Sequence, residues 1–144
     1  MRDLILKAFR EVEKSRHEII ETCRDLVRID TTNNPSLKVG NGKKGQDYVA
    51  KKLSEIGFET VDRFEHDEEK LKNLRGYVPA RDWIDRYAER ENVVGTIGSG
   101  MGKSIILNGH IDTVTTGPRE LWQHSPFGGE LDGGKIYGRG AADM

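Results

Sequence analysis

The chain has 144 residues, about the length of one domain, with 23 Lys plus Arg, 24 Asp plus Glu and a net charge of -1. That balance argues against nucleic acid or an anionic membrane surface as the main partner, since both select for a basic excess. No apolar run approaches the roughly 20 residues of a bilayer crossing. Cys23 is the only cysteine, so no internal disulfide is available, and a soluble cytoplasmic protein is the expectation.

Apolar residues at Leu4, Ile5, Ala8, Phe9 and Val12, then Ile19, Ile20, Cys23, Leu26 and Val27, recur at spacings of three and four. They predict a helical stripe, interrupted at Arg16 and His17, so one long helix or two abutting ones fit equally. Thr31 to Ser36 is rich in residues that favour turns and caps. A second helix is expected from about Gly45, with Val49, Leu53 and Ile56 on one face and Gly57 as its left-handed end. Phe58 to Phe64 reads as a strand. After Pro79, the spacing of Trp83, Ile84, Tyr87 and Ala88 predicts a short helix. Val93–Ile97 and Ser104–Asn108 flank the glycine-rich loop 98–102 and read as a hairpin. That loop lacks a complete glycine fingerprint and leads into a strand, so it offers no helix N-terminus to a phosphate.

Glycine and charge divide the chain. Twelve of its 17 glycines lie between Gly95 and Gly140, whereas residues 1–94 carry 19 basic and 19 acidic side chains. The first part therefore reads as solvated helices and the last fifty residues as strands and tight turns. Neither a repeat nor a linker marks a second domain, so residues 1–144 are taken as one unit.

Two segments carry chemistry. In Asn108-Gly109-His110-Ile111-Asp112-Thr113, His110 and Asp112 are two apart, and on extended chain their side chains point the same way. A neutral imidazole is a good zinc ligand, and a neighbouring carboxylate can orient the ring. At the other segment, Gly138 and Gly140 let the backbone come close to a ligand, and Asp143 can bring a carboxylate to the same place. Taken alone, the first segment reads sooner as an incidental surface or core hydrogen-bonded pair, and the second as an exposed hairpin with a terminal aspartate. His17, His66 and His124 read as surface or loop histidines, and Cys23 as a core residue on the first helix.

Together these motifs resemble a known family. Residues 108–114, then Trp122, Ser125-Pro126-Phe127 and residues 135–144, with Leu26–Asn33 upstream, are similar to the co-catalytic zinc peptidases and deacylases. That family includes acetylornithine deacetylase, succinyl-diaminopimelate desuccinylase, aminoacylase and the glutamate-releasing carboxypeptidases. The resemblance implies that His110 binds one metal ion, that Asp112 braces it as a catalytic-site carboxylate, and that Asp143 bridges two metal ions. It assigns Trp122, Pro126, Phe127 and Arg139 to structure, the last as a guanidinium pairing with a carboxylate. It implies an α/β fold, the amino-terminal portion of a three-layer α/β/α catalytic domain cut off after the Asp143 motif, with the lid or dimerisation domain absent.

The implied function is a metal-dependent amide hydrolase with two divalent ions, zinc or cobalt. It would act on an N-acyl amino acid, or alternatively on a dipeptide or short peptide, with room for a homodimer through the missing domain. The family's general base and remaining ligands match no residue here, so the 144-residue chain alone is expected to be inactive and to hold metal weakly or not at all. A rival of another class keeps the same framework as a non-catalytic α/β binding or assembly module.

Overall fold

The structure, a computed structural model, describes residues 2–34, 39–79, 90–98 and 100–143. The first apolar stripe forms two helices, α1 (Arg2–Lys14) and α2 (Arg16–Arg28), broken at Ser15. The apolar side of α1 stays open, with Leu4, Phe9 and Val12 exposed. In contrast, α2 is tied down: Val27 is buried, and Arg24 Nε and Arg28 Nε donate to the carbonyls of Gly129 and Gly128 at 2.8 and 3.2 Å.

After α2, β1 (Asn33–Asn34) pairs antiparallel with β2 (Val39–Gly40). Helix α3 (Lys43–Ile56) then ends at Gly57, whose φ of 96° is the left-handed cap expected from the sequence; its N–H returns to the Leu53 and Ser54 carbonyls. Tyr48 Oη donates to Asp25 and so joins α3 to α2.

Strand β3 (Thr60–Phe64) pairs antiparallel with β4 (Asn92–Thr96), in a register from Thr60↔Thr96 to Phe64↔Asn92. Arg63 straps this ribbon to α3 by pairing with Asp47 at 2.7 Å and with Glu91. Gly95 is where α3 and the strand meet most closely: an added Cβ would lie 2.7 Å from Phe58 Cδ1 and 3.1 Å from Leu53 Cδ1. A short helix, α4 (Glu68–Leu71), is capped by the Asp67 carboxylate. Near the end, β5 (Glu130–Asp132) and β6 (Lys135–Tyr137) form a hairpin. Its two-residue turn, Gly133-Gly134, has both φ angles positive, as the twist of a tight hairpin demands.

The outcome is mixed α/β, with three two-stranded antiparallel ladders among the described residues. Two expectations are corrected. The partner of β4 is β3, with 27 residues of chain between them, and not the segment 104–108. That segment forms no ladder among the described residues, and its Ile105, Ile106 and Leu107 are 82%, 89% and 87% exposed. The physical reason is that β propensity specifies an extended chain that fits a packed surface, and only a neighbour at the right distance makes it a strand. The helix expected from Trp83 to Ala88 and the turn at residues 35–36 lie outside the described residues.

Candidate metal centre

Three pieces of chain, far apart in sequence, meet at His110. The first is the turn after α2. Thr31, which is buried, donates its hydroxyl to the Ile111 carbonyl at 2.6 Å and accepts from the Thr113 N–H at 3.2 Å. The Asn33 N–H donates in turn to the Thr113 carbonyl at 2.7 Å. These alternating bonds are a short parallel pairing, with Thr32 opposite Thr113. The second piece, residues 110–113, is thereby held extended.

Close packing fixes its other side. A Cβ on Gly45 of α3 would stand 2.8 Å from both Ile111 Cδ1 and Thr31 Cγ2, so the helix reaches this segment only because glycine occupies the contact. The third piece is the loop after β6. Arg139 N–H donates to the Pro126 carbonyl at 2.7 Å, and a Cβ on Gly140 would lie 2.7 Å from Thr113 Cγ2. Gly140 has φ of 83°, which favours glycine for its backbone as well. This close approach carries Asp143 to His110.

The two ring nitrogens of His110 face different groups. Nδ1 lies 3.1 Å from the Asp112 carbonyl and 3.2 Å from its Oδ1. Both are acceptors, so Nδ1 carries the proton and donates. Nε2 lies 3.4 Å from Asp143 Oδ1. Burial disfavours the imidazolium, and the Asp112 carbonyl, its carboxylate and Asp143 together outweigh that, which moves the His110 pKa above its ordinary value. The site is open: the Asp143 side chain is 95% exposed, and those of His110 and Asp112 about half so.

A lone pair on Nε2 and a carboxylate at 3.4 Å repel unless a proton or a cation lies between them. Two donors each about 2.0–2.1 Å from a tetrahedral zinc sit roughly 3.3–3.4 Å apart, so the observed separation fits a shared divalent ion. Among the described residues, no group of three or more His, Cys, Asp or Glu is gathered to hold a metal; His110 and Asp143 supply two donors, with Asp112 turned to the far side of the ring.

Asp112 is itself held. Asn33 Nδ2 donates to Asp112 Oδ2 at 2.8 Å, and Arg90 Nη1 donates to Asn33 Oδ1 at 2.9 Å. Neither residue stands out in the sequence, because 79 and 57 positions separate the partners and no local spacing announces them.

The remaining candidates have structural surroundings. His124 donates from Nδ1 to Glu130 at 2.8 Å and stacks on Tyr137 with ring centres 4.0 Å apart, which is a loop role. The Arg139 guanidinium lies 5.0 Å above the Trp122 ring rather than against a carboxylate, and its buried Nε has no hydrogen-bond partner among the described residues. The indole N–H donates to the Thr116 carbonyl. Cys23 is half-buried on α2.

Residues 106–144 match the sequence profile of Peptidase family M20/M25/M40. The chain is 34% identical over 128 residues to a succinyl-diaminopimelate desuccinylase of Methylocella silvestris, covering 89% of the chain and 27% of that relative. It is 35% identical over 127 residues to an uncharacterized metallohydrolase of Methanocaldococcus jannaschii, covering 88% and 28%. An N-formyl-4-amino-5-aminomethyl-2-methylpyrimidine deformylase of Bacillus subtilis is 29% identical over 138 residues, covering 94% and 27%. The chain thus spans about a quarter of the length of these relatives.

Proposed function

Since the chain belongs to Peptidase family M20/M25/M40, we propose that it contributes to a metal-dependent hydrolase that cleaves the amide of an N-acylated amino acid. His110 and Asp143 bind a divalent ion, zinc or cobalt, and Asp112 orients His110. Two relatives bear names that denote removal of an acyl group from nitrogen, a desuccinylase and a deformylase, which favours deacylation over cleavage of a dipeptide. In this reading residues 1–144 form the amino-terminal portion of a three-layer α/β/α catalytic domain. A second metal and the proton-transferring carboxylate are then held by groups outside the pair described here, because a catalytic zinc takes about three protein ligands.

The observation that carries the reading is the convergence of His110 Nε2 and Asp143 Oδ1 at 3.4 Å, while the opposite ring nitrogen donates to Asp112. An ion held there would polarise the amide carbonyl and acidify a water molecule. For its part, Asp112 keeps the Nε2 lone pair aimed towards Asp143, whose side chain is open to solvent.

The test is metal content and turnover of the whole protein. His110→Ala and Asp143→Ala should each lose more than the roughly 10–100-fold that removal of an outer partner costs, and each should lower the bound metal. Full metal content and substantial turnover in both variants would overturn the assignment.

A further inference from the structure

The contacts behind Asp112 carry a second step. We infer that Asn33 is a positioning residue of the metal centre, which acts by fixing the Asp112 carboxylate and through it the His110 ring. The inference rests on the functional reading above and extends it to a residue in the turn after α2.

The direction of the Asn33 amide follows from its neighbours. A guanidinium can only donate, so the side-chain oxygen of Asn33 must face Arg90 Nη1. The amide nitrogen then faces Asp112, an ionised carboxylate that only accepts. With Oδ2 occupied by Asn33, Oδ1 is the oxygen left for His110 Nδ1 at 3.2 Å. Torsion about the last bond of an aspartate is broad, so a carboxylate held at one oxygen only would swing. Asn33 removes that freedom. Its main chain is anchored separately by the N–H to Thr113, and a side-chain substitution leaves that bond in place.

Gly40, paired with Asn33 across the β1–β2 ladder, gives an independent handle. An added Cβ there would collide with the Arg90 guanidinium and with Asn33 Oδ1. Both are far ends of flexible side chains, so they can move aside at little cost to folding, and the amide would be displaced.

The experiment measures zinc affinity by chelator competition, and the visible spectrum of the cobalt(II)-loaded form, for the whole protein. Asn33→Ala should weaken zinc binding about 10–100-fold and change the cobalt spectrum, with the thermal midpoint nearly unchanged. Gly40→Ala should shift both readouts in the same direction. In an Asp112→Ala background, Asn33→Ala should have no further effect, because its route to the metal is already gone. Wild-type affinity and spectrum in Asn33→Ala, or an undiminished loss in the Asp112→Ala background, would overturn the inference while leaving the functional reading intact. Metal binding indifferent to His110→Ala would overturn both.

Discussion

Glu130 shows how single contacts hold the turn that backs the site. Its carboxylate accepts from His124 Nδ1 at 2.8 Å and from the Ser125 N–H at 3.2 Å. The His124 hydrogen bond first, then the Ser125 N–H, draw the Glu130 pKa below its ordinary value. A depressed carboxylate contributes stability that is fully present above its unfolded pKa and is lost as pH falls through the folded one. Glu130→Gln should therefore lower the urea midpoint at pH 7, and its difference from wild type should shrink as pH is lowered from about 5 to 3. A difference that stays constant over that window would show that the carboxylate charge is not what these contacts use. At the same scale, His110 and Asp112 are two apart and drew attention by their chemistry, while Asp143 joined them only through the motif resemblance; the structure brings all three together. Asn33 and Arg90 were not legible, because a hydrogen bond between Asn33 and Asp112 imposes no pattern on the 78 residues between them.

Elements differ in legibility for a related reason. α2 and α3 were readable because a helix is a local structure whose 3.6-residue period is written in consecutive residues. Gly57 was readable too, as a glycine at the point where the periodicity stops. The pairing of β4 was not, since antiparallel neighbours with alternating apolar residues are interchangeable until the fold selects one. Two glycines, Gly45 within α3 and Gly57 at its C-terminal cap, separate the non-local from the local cause. Around Gly57 nothing lies within 4 Å of an added Cβ, so Gly57→Ala should cost about 1–2 kcal/mol from its left-handed φ alone, and Asn, which tolerates that conformation, should recover part of it. At Gly45 the cost comes from crowding Ile111 and Thr31. Gly45→Val should therefore destabilise by about 1–3 kcal/mol and exceed Gly45→Ala. Chemical denaturation of the four variants decides it: equal losses for Ala and Val at Gly45 would mean that α3 does not pack on the 111 segment.

At the scale of the whole molecule, the run Ile105-Ile106-Leu107 is the feature that the described fold leaves without a role. Three successive apolar residues, each more than 80% exposed, lead directly into His110. Apolar residues on both sides of an extended segment are what a strand buried on both faces contains, as in the central strands of a sheet covered by two helical layers. The proposed three-layer domain would cover them. In the 144-residue polypeptide they are open to solvent and in no ladder among the described residues, which favours association with other chains. One substitution should then have opposite effects in the two settings. Ile106→Lys in the 144-residue polypeptide removes exposed apolar surface and should raise the monomeric fraction measured by light scattering. In the whole protein the same lysine would lie among apolar side chains without a partner, and burying an unpaired charge is strongly unfavourable. The thermal midpoint of the whole protein should fall by several degrees, and zinc affinity with it, because residues 105–107 lead directly into His110. A lysine tolerated in both settings would mean that residues 105–107 face water in the functional protein, and the three-layer reading would then have to be abandoned.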